Sequence, residues 1–216
     1  MLQYSLTRYH AGFELWGDLR SLDRLHDFIH RVVDESPYIS DKEGFVLDLA
    51  YQVRKAFEGC RQTDAGDPDD PDSCMTYGVP LLWPTVLVQT SVLRHAMAFM
   101  SVDKLDQSIM FELEHIIESA LREAIPNQSQ ELIHRVWHIG SSTYKHLDTI
   151  LGSRIQYFID LPIKHRLDTL TKLMDTFDPM YEWLIREDNL SLPNMIPPSS
   201  FSENDNKLDP KDEFKW

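Results

Sequence analysis

The sequence predicts an α+β fold: a small antiparallel sheet with one packed helix, followed by an all-helical bundle and a disordered C-terminal tail. Three observations predict it. Residues 2–9 (LQYSLTRY) and 13–16 (FELW) read as two short strands joined by the turn-forming His10-Ala11-Gly12. From Pro84 onward, apolar residues recur at three- and four-residue spacing and prolines fall at the breaks. From residue 188 onward prolines and polar residues accumulate and periodicity is lost.

Gly17 closes the second strand, and Asp18 or Ser21 is placed to cap the helix that follows. Leu22, Leu25, Phe28, Ile29, Val32 and Val33 form its apolar face. It stops before Pro37, because proline disfavours helical geometry at the residue preceding it. Residues 44–61 fit two periods. Phe45, Leu47, Leu49, Tyr51 and Val53 alternate as in a strand; Val46, Leu49, Ala50, Val53 and Phe57 share a helical face. The strand is favoured, since a hairpin with 75–82 (MTYGVPLL) would complete the sheet. The intervening 63–73 (TDAGDPDDPDS) reads as a solvated loop.

The central helix opens at Pro84, a residue suited to the first helical position, and runs to about Met100. A second spans 103–124 and ends before Pro126. Asn127 and Gln130 suggest a capping box for a third, which runs to Ile139. Helices at 142–160 and 163–176 follow. Asp178-Pro179 reads as a cap and first-turn proline opening a last short helix. Residues 1–187 are expected to form one domain, with a sheet-containing part (1–83) and a helical part (84–187). Residues 188–216 form the expected disordered acidic tail, in which Phe214 and Trp216 could serve as a docking motif.

With 21 Lys and Arg against 35 Asp and Glu, the formal charge is 21 − 35 = −14. So acidic a surface repels phosphates, so neither free nucleic acid nor an anionic membrane is expected as a partner. The longest apolar stretch, 79–100, is interrupted by Pro80, Pro84, Gln89, Arg94 and His95, which suits a core element rather than a membrane span. MLQYSLTRYH is not patterned as a secretory signal. The expected location is the cytoplasm, with Cys60 and Cys74 as free thiols.

Several spacings suggest chemistry. Glu112…His115 and Glu131…His134 have the Glu-x-x-His form of di-iron helix bundles. On a helical wheel, though, both pairs point away from the apolar stripes, as a solvated face does. His26…His30 and His134…His138 stand one turn apart, which is two ligands short of a zinc site. The acidic loop lacks EF-hand spacing. No phosphate-cradling glycine motif is present, and no metal or cofactor is expected. Arg94-His95 interrupts an apolar helix. His95 falls on the side expected to be buried, so it and Arg94 should meet an acid, a hydroxyl or a carbonyl.

Arg24 and His30 form an R-x-x-x-x-x-H motif that resembles the signature of the HEPN superfamily of helical ribonucleases. The resemblance implies RNA cleavage at a dimer cleft, yet here the pair lies outside the helical half. The segments AGFELWGD (11–18) and LLWPTVLVQTSVLRHAMAF (81–99) resemble an uncharacterised family of small bacterial proteins. That resemblance implies a bacterial source and no activity.

Two functions remain in view. One is a non-catalytic interaction protein, toxin-neutralising or adaptor in type, whose acidity steers a basic protein partner to it. The other is a helical hydrolase, possibly HEPN-like, with His95, Arg94, Arg24 and His30 as its candidate residues.

Overall fold

The structure is a computed structural model, and it describes residues 1–66, 69, 74–142, 144–186 and 214–216. It has the α+β architecture. Four antiparallel strands, β1 (Gln3–Leu6), β2 (Gly12–Asp18), β3 (Gln62–Asp64) and β4 (Thr76–Leu82), lie in the order β1-β2-β4-β3. The β2–β4 pairing runs from Gly12↔Leu82 to Asp18↔Thr76. Its register places Phe13 opposite Leu81 and Leu15 opposite Val79, all buried on one face. Trp16, Glu14 and Ser5 occupy the other face, joined by hydrogen bonds from the Trp16 indole. This two-residue alternation makes a half-buried sheet. Pro80 is tolerated in an inner strand because β3 reaches only Thr76 to Gly78, so no neighbour needs its missing N–H.

The β1–β2 turn places His10 in the left-handed region at φ 60°. Thr7 clamps it: its hydroxyl donates to the Gly12 carbonyl and accepts from the Gly12 N–H, each at 3.0 Å.

Asp18 caps α1 (Leu19–Glu35) by accepting from the Ser21 N–H at 2.9 Å. The six predicted apolar residues of α1 are all buried. The favoured strand at 44–61 is not formed. Residues Phe45–Lys55 are a helix, α2, with Val46, Leu49, Ala50 and Val53 turned against α1 and the core. β4 pairs with β2 along one edge and with the short β3 over Thr76 to Gly78 on the other. The helical face of 44–61 then buries its apolar residues against α1, while Tyr51 stays exposed. A π-type turn, Ala56–Cys60, with Gly59 at φ 76°, leads into β3.

α3 (Trp83–Ala96) begins directly from β4 with Pro84 in its first turn, and a single 3-10 turn, Met97–Phe99, follows it. Every residue from Trp83 to Leu93 is buried, so α3 is the central helix. Around it stand α4 (Lys104–Ala124), α5 (Ser129–Ser141), α6 (Leu147–Asp160), α7 (Arg166–Met174) and α8 (Phe177–Arg186). A continuous core cluster runs from Phe13 and Leu15 of the sheet through Trp83 and Val88 to Phe158 and Phe177. Among the described residues, no helix is long and apolar enough to cross a membrane.

Two predicted caps are replaced. α5 starts one residue later than an Asn127 cap allows and has no side-chain cap. Asp178 lies inside α8, where its carboxylate accepts from the Tyr144 hydroxyl. The tail prediction falls mostly on residues 187–213, outside the described residues, as do Asp67, Asp70 and Asp72 of the acidic loop. Phe214 and Trp216 pack against the core, and the Tyr9 N–H donates to the Trp216 carbonyl oxygen at 3.0 Å.

Candidate docking groove

The surface feature with the most developed chemistry lies where α4 and α5 diverge over α3. α3 and α5 approach closely because Gly140 sits against Ser91, whose hydroxyl donates to the Val136 carbonyl at 2.7 Å. α4 lies on the other side of α3, held by an ion pair. Arg94 donates from Nε and Nη2 to the two carboxylate oxygens of Glu114 at 2.6 and 2.5 Å, and from Nη1 to Gln107 at 3.1 Å. The Phe111 ring covers the guanidinium, with Cζ 4.7 Å from its centroid.

Between these supports is a small recess, open to solvent. Leu87, Ile117, Ile133 and Val136 give it an apolar lining. Glu118 and Trp137 stand beside them. Trp137 is 55% exposed, unusual for the largest apolar side chain and informative where it borders a recess. Glu114 is committed to Arg94. Among the described residues, Glu118 pairs with Arg122 alone, at 2.5 Å, one helical turn away and largely solvated. Exposed pairs of this kind contribute little, about 0–1 kcal/mol, so Glu118 can exchange its partner. Thr90 also lines the recess, and its buried hydroxyl has no hydrogen-bond partner among the described residues. An apolar trough with an exchangeable carboxylate and an indole face suits a side chain with a hydrocarbon stem and a cationic head.

The residues singled out from sequence are dispersed. Arg94 meets an acid, as expected. His95 does not: its ring packs edge-on against Tyr38 at 4.6 Å and beside Phe99 at 5.4 Å, without a hydrogen bond among the described residues. Ring packing replaces the expected polar partner because His95 is only half-buried and so retains access to water. Tyr38 also stacks on Phe99 at 5.3 Å. Its hydroxyl donates to the carbonyls of Gly140 (2.8 Å) and Ser142 (3.1 Å), and burial raises its pKa. Arg24 is exposed on α1, while the His30 ring lies 4.4 Å from that of His26. No hydrogen bond or ring contact joins Arg24 and His30 to Arg94 and His95 among the described residues.

Glu112 accepts from the Leu2 N–H at 2.8 Å, fixing β1 to α4, and Glu131 pairs with Arg135 at 2.6 Å. His115 and His134 are exposed. Among the described residues, no cluster of three or more His, Cys, Asp or Glu could hold a metal ion.

Sequence reasoning missed Trp137, Glu118, Arg154 and Arg166. Trp137 was discoverable: it falls on the polar side of the α5 stripe formed by Leu132, Val136 and Ile139. Arg154 carried no signal. It is fully buried with no carboxylate partner among the described residues, bonding instead to Ser153 (2.9 Å) and weakly to Thr176 (3.4 Å). Desolvation lowers its pKa to about 9.

Fold and groove together define a mixed sheet-and-helix protein with a recess on its helical side. The chain belongs to the family described as a domain of unknown function, DUF6904, whose model matches residues 2–216. No curated protein matches the chain, and no solved structure does.

Proposed function

We propose that this is a non-catalytic interaction protein of the bacterial cytoplasm, toxin-neutralising or adaptor in type, that binds a basic partner protein. The groove is the observation that carries the reading: Trp137 and Glu118 flank an apolar trough on the helical surface. A lysine or arginine of the partner would lay its stem along Ile133 and Val136 and its charge between Glu118 and the Trp137 face. The formal charge of −14 speeds encounter with such a partner and repels nucleic acid. Cys60 and Cys74, both free and exposed, suit a reducing compartment.

The test is titration of the full-length protein with a short peptide alternating leucine with arginine, followed by calorimetry and tryptophan fluorescence. Binding that weakens with salt, and at least tenfold on Glu118→Gln or Trp137→Ala, is expected. Equal binding by all three proteins, or none by the wild type, overturns the groove. The hydrolase alternative makes a different demand. It requires RNA cleavage that His30→Ala or His95→Ala abolishes.

A further inference from the structure

Far from the groove in sequence, the β1–β2 turn meets Arg166, the first residue of α7. Arg166 is only 4% exposed and lacks a carboxylate partner among the described residues. Burial lowers its pKa. Its Nη1 donates to two backbone carbonyls, those of Tyr9 at 2.9 Å and Lys215 at 2.8 Å. Phe214 covers the guanidinium, with Cζ 4.5 Å from the ring centroid. The Tyr9 N–H donates to the Trp216 carbonyl oxygen at 3.0 Å, and Lys215 Nζ lies 5.8 Å from the Tyr9 ring centroid. Phe214 and Trp216 meet edge to face at 5.6 Å.

We infer that Arg166 and the Thr7–Gly12 turn form a peptide-binding site whose occupant is the segment Phe214-Lys215-Trp216 of this same chain. The recognition is that of a receptor for an extended peptide. Backbone hydrogen bonds at Tyr9 and Arg166 fix the register, and a cation–π contact selects an aromatic residue two positions before another. A buried cation without an acid is costly unless its donors and faces are occupied. Here the tripeptide supplies one carbonyl and one aromatic face, so Arg166 needs the segment as much as the segment needs Arg166. Phe214 is 28 positions beyond Arg186, the last residue of α8. Because the segment and its receptor belong to one chain, the site is filled in cis yet open to competition by a second copy of the peptide. The inference is independent of the proposed groove, which is built from other residues.

The experiment uses full-length wild type, the full-length double variant Phe214→Ala/Trp216→Ala, and a fluorescent peptide of residues 211–216 (KDEFKW). The double variant should bind the peptide at least tenfold more tightly than wild type, whose own segment competes. Adding Arg166→Gln to the double variant should abolish that binding. The Tyr9 amide should exchange with solvent at least tenfold faster in the double variant than in wild type, a readout that needs no added peptide. Equal peptide binding by wild type and double variant, together with unchanged Tyr9 exchange, overturns the inference. A Trp137→Ala variant should behave as wild type in this assay, which separates failure here from failure of the groove.

Discussion

Gly140 of α5 lies directly over Ser91 of α3: a Cβ at Gly140 would stand 2.0 Å from the Ser91 hydroxyl oxygen and 2.6 Å from its carbonyl oxygen. Backbone, not only side chain, is in the way. The two helices meet at a point that only glycine allows, and the wall of the groove depends on it. Gly140→Ala should force α5 away from α3 and destabilise the protein by about 1–3 kcal/mol or more, as overpacking does. Urea denaturation measures it, and an unchanged midpoint would show that the crossing is looser than described.

The Arg94–Glu114 pair joins α3 to α4 with both side chains mostly buried. Glu114→Gln leaves the guanidinium without its countercharge and should cost about 1–3 kcal/mol, since removing one partner strands the other. Arg94→Met/Glu114→Gln should recover part of that loss. A double-mutant cycle with zero coupling would remove the pair from the account of stability.

Asp18 supplies an acid-sensitive contribution. Burial pushes its pKa up, but hydrogen bonds from the Met1 amino group, the Ser21 N–H and the Ser21 hydroxyl outweigh it and hold the pKa at about 2, against an ordinary 3.8. The unfolded state therefore binds the proton more readily than the folded one. The stabilisation is complete above the unfolded pKa and is lost as pH falls through 3.8 toward 2. Asp18→Ala should lose about 1 kcal/mol at pH 7 with the helix cap. It should also show a shallower fall in stability between pH 5 and pH 2, measured by denaturation at each pH. Parallel curves for the two proteins would contradict the assignment.

Arg154 leads to the opposite expectation. Among the described residues no acid meets this buried guanidinium, so Arg154→Met should leave stability unchanged or raise it by about 1–4 kcal/mol, as replacing buried charges by apolar groups often does. Thermal unfolding decides it. A clear fall in Tm would mean that the bonds to Ser153 and Thr176 outweigh the desolvation they offset.

Much of the fold was legible in the sequence for a local reason. In α1, six apolar residues at helical spacing sit between a capping Asp18 and Pro37, and all six are buried as their spacing requires. α3 is apolar on nearly every side, which already placed it at the centre. The groove was only half legible. Trp137 stands on the polar side of α5, an anomaly visible in the sequence, but its neighbour Glu118 lies on α4, and no local pattern links the two.

The sequence by itself determined the α+β class, the central helix, a cap at Asp18 or Ser21 and the strongly acidic character, because each follows from near neighbours or from composition. Tertiary structure alone decided three things. Residues 45–55 became a helix, because Val46, Leu49, Ala50 and Val53 on one helical face are buried against α1 and the core. His95 met aromatic rings instead of a polar partner, because Tyr38 and Phe99 converge on it in space. Phe214 and Trp216 packed beside the β1–β2 turn, where Arg166, 48 positions before Phe214, meets the Lys215 carbonyl and the Phe214 ring. Periodicity reports which face of an element is buried; it does not report what lies against that face.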